Sequence, residues 1–196
     1  MGFRSGLTLA AALMLGGAPA HAAAAPADPA AAQVEGFYAD LTAALHASGL
    51  SAARLKPAVE RTFNLPVMAQ LAVGPAWSEM TAADRAAVVA ALSRYTVARY
   101  VKDLSAAHDV TFVVDPAVQV RGADRLVKSE VRAPGETPTK LYYRLREYSG
   151  AWQAVDVFEN GVSEIATQRA DFTGALAKGG AGALVRKLDE ATARLK

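Results

Sequence analysis

The chain contains no cysteine. A disulfide framework, a thiolate metal site, a cysteine nucleophile and a lipidated N-terminal cysteine are thereby excluded, so a hydrophobic core must carry the stability. Histidine is scarce, with three copies, His21, His46 and His108. None belongs to a metal-spaced pair, no G-x-S-x-G elbow accompanies them, and no cofactor or metal is expected. An excess of one charge is lacking too: 21 basic residues face 19 acidic ones. Phosphate backbones are gripped by clustered positive charge, so no nucleic-acid partner is expected and any membrane contact should be weak and transient. Finally, no apolar run reaches the ~20 residues of a membrane-spanning helix.

What is present begins with a secretion signature. Arg4 precedes an apolar stretch at residues 7–18, broken by Thr8, Gly16 and Gly17, and then comes Ala18-Pro19-Ala20-His21-Ala22. A charged start, an apolar run too short to span and an A-x-A site predict a signal peptide over 1–22, cut after Ala22, and hence a soluble secreted protein. Residues 23–32 are Ala and Pro with one acid, which predicts a disordered leader up to the first helix. Residues 33–196 then suffice for a single domain.

Asp28 and Pro29 can cap and start a helix whose one face carries Val34, Phe37, Leu41 and Leu45, with Gly49 as its end and His46 near its last turn. Leu50, Ser51 and Leu55 resemble a hydrophobic staple around an N-cap, but Pro57 would then sit inside the helix; a start near Pro57, running to Phe63, is preferred. Asn64-Leu65-Pro66 opens a short helix that Gly74-Pro75 stops. Thr81 and Asp84 form a capping box for a long helix to about Ser105, with Val88, Leu92, Tyr95 and Ala98 inward. His108 falls at the junction where the pattern changes.

From Val110 the period becomes that of strands, interrupted at Asp115-Pro116 and turned at Pro134-Gly135, Ser149-Gly150 and Asn160-Gly161. Leu141, Tyr143 and Leu145 share one face of a strand, Tyr142, Arg144 and Arg146 the other. A helix capped by Ser163 follows, carrying Ile165, Arg169 and Phe172, and Gly179-Gly180 divides it from a last helix with Leu184, Leu188 and Leu195. The predicted class is α+β: a curved antiparallel sheet of about four strands covered by helices, an NTF2-like cone.

One carboxylate stands out. Asp156 alternates with Trp152, Ala154 and Phe158 along a strand, where an unpaired charge would be costly. It could serve a small-molecule enzyme as a general base of raised pKa. The preferred reading is structural, with Arg144 and Arg169 as candidate partners. A third possibility is a ligand-free periplasmic adaptor with a filled core.

The spacing of Trp152, Asp156, Gly161-Val162-Ser163, Arg169, Phe172, Gly180, Leu184 and Leu188 resembles the MlaC/toluene-tolerance family of periplasmic lipid carriers. Arg61 to Pro66, then Met68, Leu71, Gly74 and Trp77, and Arg94-Tyr95 with Tyr100 extend the resemblance over residues 35–190. Members often have Asp where this chain has Asn64, so no carboxylate role passes to that position. Within the family, Phe63-Asn64-Leu65-Pro66-Val67-Met68, Gly74-Pro75-Ala76-Trp77 and Ser163-Glu164-Ile165-Ala166 look most like the branch associated with hopanoid biosynthesis, HpnM. The resemblance implies one lipid, hopanoid or phospholipid, held in an apolar pocket and passed between an inner-membrane lipid-transport complex and an outer-membrane acceptor, without ATP hydrolysis by the carrier. Since exposing a lipid chain to water costs ~0.8 kcal/mol per methylene, such a carrier needs an apolar chamber. The wall is assigned to Phe63, Leu65, Met68, Leu71, Trp77 and Tyr95 of the helical half. The strands contribute Leu141, Tyr143, Leu145, Val155 and Val157, and the turn and helix behind them Val162, Ile165 and Phe172.

Overall fold

The computed structural model describes residues 28–47, 49–106 and 109–195. The expected signal peptide and His108 lie outside the described residues. Helix α1 spans Pro29–His46, with the Asp28 carboxylate accepting from the Ala30 amide at 2.8 Å. Residues 29–32 are therefore its first turn, with Ala30 and Ala31 buried, and the leader boundary expected at 32 moves back. The exposed His46 ring bonds the Thr42 carbonyl one turn back.

Helix α2, Ala52–Thr62, corrects the expected start near Pro57: Ser51 is the N-cap and Pro57 lies inside. A proline this near the N-terminus forfeits one intrahelical bond. Burial of Leu55, Ala58 and Val59 offsets that loss. Helix α3, Leu65–Val73, is capped by Asn64, whose Oδ1 accepts from Val67, and continues into a 3-10 turn, Gly74–Glu79.

Helix α4, Ala82–Ala106, opens on the expected box, with Asp84 N–H donating to Thr81 Oγ1 at 3.1 Å and Thr81 Oγ1 donating to the Asp84 carboxylate at 2.7 Å. Val88, Leu92 and Val97 are buried on α4, while Tyr95 and Ala98 are half-buried. Thr81→Ala should cost ~1 kcal/mol, read as a fall of about 2–4 °C in melting temperature.

The strands are β1 Thr111–Val114, β2 Gln119–Arg121, β3 Asp124–Arg132, β4 Thr139–Tyr148, β5 Ala151–Glu159 and β6 Val162–Ser163. They form one antiparallel sheet in the order β1-β3-β4-β5-β6, with β2 also paired to β3. This is the expected meander, with its first strand split at Asp115-Pro116 and a two-residue strand added before the last helix. That addition follows from the Asn160-Gly161 turn: φ is +49° and +89°, the double positive that a tight hairpin requires. Helical segment α5, Glu164–Arg194, is interrupted at Gly179-Gly180, where Gly180 has φ +59° and ψ −150°, a conformation essentially restricted to glycine.

The helices cover one face of the sheet, where Val127, Tyr143, Leu145 and Ala154 are fully buried. Phe37 meets Phe63 and Tyr100 edge-on at 5.2 and 5.3 Å, and Tyr38 stacks on Phe112 at 4.5 Å while bonding Ser129 at 2.7 Å. Burial pushes the Tyr38 and Tyr143 phenols up from their ordinary range, so both stay neutral at physiological pH. Among the described residues no helix is long and apolar enough to cross a membrane.

Candidate functional site

The site starts where α3 is pinned to β5. Asn64 N–H donates to the Ala154 carbonyl at 2.9 Å and its Nδ2 to Gln153 Oε1 at 2.9 Å, so the helix that brings in Met68 is fixed to the sheet at its first residue. An Asp at this position could not make the second donation. At the other end of α3, Arg169 from α5 donates through Nε to the Leu71 carbonyl at 3.0 Å, satisfying one of the helix's orphan acceptors.

Between α3, α4 and α5 on one side and β4 and β5 on the other lies a cavity of about 140 Å³. Its apolar wall is Phe63, Met68, Leu141 and Val157, with Tyr95, Thr96 and Tyr100 from α4. The other end is polar and includes Arg99, Asp103, Glu159, Glu164 and Gln168. Arg99 of α4 pairs with Glu164 of α5 at 3.2 Å, and Glu164 also accepts from Gln168 Nε2 at 2.9 Å. Burial works to lower the Arg99 pKa, but Glu164, Tyr95 and Asp103 outweigh it and raise the value. The cavity is thus amphipathic, with apolar side chains from helices and sheet alike and with Asp103 and Glu159 exposed at its charged mouth.

Of the residues expected to form the pocket wall, Phe63, Met68, Tyr95, Leu141 and Val157 line this cavity. Leu65, Tyr143, Leu145, Ile165 and Phe172 are buried in the packed core instead, and Leu71 and Trp77 are half-buried against it. Val155 is buried at a bulge, and Val162 on the edge strand is 63% exposed, so it faces water rather than a chamber. Five of the fourteen expected wall residues thus border this cavity, and the others are buried, half-buried or exposed away from its lining. Sequence reasoning passed over Thr96, Arg99, Tyr100, Asp103, Glu159, Glu164 and Gln168. A signal existed: Tyr95, Arg99 and Asp103, like Glu164 and Gln168, are four apart and share a helix face.

Asp156 lies elsewhere. The β4–β5 register steps from Arg144↔Asp156 to Leu145↔Ala154, so Val155 is an extra residue and Asp156 falls on the opposite face from Ala154. The alternation expected through Trp152, Ala154 and Asp156 is broken at that bulge. Buried to 3% exposure, the carboxylate accepts from Ser163 Oγ at 2.8 Å and the Ile165 amide at 3.2 Å, with Arg144 at 4.0 Å. It completes the cap of α5, next to Ser163, which accepts from the Ala166 amide. Of its two candidate partners the structure provides Arg144 and assigns Arg169 to α3. Among the described residues no cluster of His, Asp and Glu could hold a metal ion.

A family model described as "MlaC protein" matches residues 46–190. Among solved structures, the chain is similar to a phospholipid-binding protein from Ralstonia solanacearum, determined in complex with a phospholipid. The TM-score is 0.74 at 23% identity, over 86% of this chain and 99% of that one. No curated protein sequence gives a significant match.

Proposed function

The chain belongs to the MlaC family, and from that premise we propose that it is a lipid carrier of the periplasm, holding one lipid, hopanoid or phospholipid, and handing it between an inner-membrane lipid-transport complex and an outer-membrane acceptor. The family and the fold point to a binding or transport protein rather than an enzyme. The observation that carries the reading is the amphipathic cavity, whose apolar wall of Phe63, Met68, Leu141 and Val157 replaces the bilayer for a chain segment while its charged mouth stays wet. The solved relative of the same fold was captured with a phospholipid, which supports a lipid as the ligand here.

The volume adds a mechanistic condition. About 140 Å³ is close to the engineered cavity that admits a benzene ring, far below the ~300–1,000 Å³ of ordinary ligand pockets. Loading a two-chain lipid therefore requires the cavity between the helices and the inner sheet face to widen. Met68 is suited to that, because an unbranched thioether repacks at small cost. The Arg99–Glu164 pair, the tie across the mouth, is partly exposed and hence weak enough to exchange.

Native purification of the protein without residues 1–22, followed by organic extraction and mass spectrometry, should recover about one lipid per chain. Correctly folded samples that repeatedly release only detergent would remove the basis for the reading. The branch within the family is tested by the same extract, since a hopanoid-producing host should then contribute hopanoid.

A further inference from the structure

The helices leave one face of the sheet uncovered. Alternation along β3 and β4 puts Val127, Ser129, Tyr143 and Leu145 under the helices, so Lys128, Glu130, Lys140, Tyr142 and Arg144 face the other way. On that outer face lies an open hollow of about 410 Å³, walled by β1, the Asp115-Pro116 turn, β3 and the start of β4, with no helical residue in its lining. It stands back to back with the lipid cavity: Leu141 lines the cavity, and its chain neighbours Lys140 and Tyr142 line the hollow.

The outer face carries Arg121, Lys128, Arg132, Lys140, Arg144 and Arg146 against Asp115, Asp124, Glu130 and Asp156. Those acids are engaged. Glu130 pairs with Arg132 at 2.7 Å and Asp124 with Arg146 at 2.6 Å. Asp115 accepts from the Ala117 amide at 2.8 Å, and Asp156 is closed to water at the Ser163 cap. Lys128 and Lys140 are left over: among the described residues no ion pair holds either ammonium. Lys128 is opposite Tyr142 in the register and Tyr142 is opposite Phe158, with both aromatics half-buried. Lysines on long apolar stems beside an aromatic row suit the head-group region of a bilayer, where ammonium groups reach phosphates and amphipathic rings settle. The cations stand on separate strands along an open face and do not converge on one point, so an extended anionic surface fits them better than a single anion. A second copy would present the same cations and be repelled.

We infer that this uncovered sheet face docks the protein on an anionic bilayer, with Lys128 and Lys140 over the phosphates and Tyr142 and Phe158 among the head groups. The exposed carboxylates of the cavity mouth, Asp103 and Glu159, belong to the other side of the sheet and are kept off the anionic surface. With so few free charges the attachment is reversible, as a carrier that must leave again requires.

The protein without residues 1–22 is sedimented at low ionic strength with vesicles of dioleoyl phosphatidylglycerol mixed into dioleoyl phosphatidylcholine, and with vesicles of the choline lipid alone. Binding to the mixed vesicles should be at least about tenfold stronger and should fall as added salt screens the charges. Lys128→Gln with Lys140→Gln should weaken it about tenfold or more, and Lys140→Gln alone, at an exposed position, about three- to fivefold. Lys102→Gln with Lys178→Gln, exposed on α4 and α5, removes the same charge from the helical side and should leave binding within about twofold of the parent.

Equal binding to both kinds of vesicle, binding to neither, or equal loss from the two lysine pairs overturns docking by this face. Binding to soluble polyglutamate but to neither vesicle also overturns it and assigns the face to an acidic protein. A folded protein that carries its lipid yet ignores the vesicles sinks the docking and leaves the carrier reading standing. Charge-dependent vesicle binding by a protein that never yields lipid supports the docking and sinks the carrier reading.

Discussion

Val157→Trp is expected to yield a folded protein that has lost most of its lipid, at least tenfold by extraction and mass spectrometry, with a melting temperature close to that of the parent. Val157 borders the cavity of about 140 Å³ and is only half-buried, so an indole there fills space before it presses on neighbours. The contrast is Leu145, fully buried on the same sheet face and away from the cavity. Leu145→Trp should overpack a solid core, costing ~1 to 3 kcal/mol, a drop of about 3–10 °C. If Val157→Trp destabilised as much as Leu145→Trp, or retained a full complement of lipid, the cavity would not be the lipid site. Lipid loss together with equal stability at both positions would instead mean that the core is hollow well beyond the cavity.

Asp156→Ala carries the largest expected loss of stability. The carboxylate receives a hydroxyl and an amide in a site almost closed to water, and removing it leaves the Ile165 N–H at the start of α5 without its acceptor. Two charge-assisted bonds and one orphaned donor together suggest ~2 to 4 kcal/mol, with little from Arg144, which is partly exposed and 4.0 Å away. Thermal unfolding should register about 5–15 °C, and Asp156→Asn, which retains one acceptor for Ile165, should fall between parent and Asp156→Ala. Lipid loading in the folded fraction should persist for both. Normal stability with abolished loading or a lost turnover would move Asp156 from the cap of α5 into the function itself.

Much of the architecture was written locally. Asn160-Gly161 and Ser149-Gly150 announce hairpins because both central residues of such turns need positive φ. Thr81 and Asp84 announce the start of α4 because two side chains can satisfy orphan amides within one turn. Pro57 misled for a reason of the opposite kind. Its penalty is local and legible, whereas the burial of Leu55 and Val59 that offsets it depends on partners far along the chain. The bulge at Val155 was equally hidden: nothing in the run from Trp152 to Phe158 marks the extra residue, and that one residue turned Asp156 to the other face.

The sequence by itself determined the order of the elements, the antiparallel sheet with its helical cover, the family resemblance and several apolar residues of the cavity wall, since each follows from short-range periodicity, turn chemistry or motif spacing. Only the tertiary structure decided where the space lies and what rims it. Arg99, Asp103, Glu159, Glu164 and Gln168 read along the chain as solvated polar residues, and they become a mouth because α4, α5 and the end of β5 converge there. A void is a property of what fails to meet across long sequence separations, and no local pattern of residues records it.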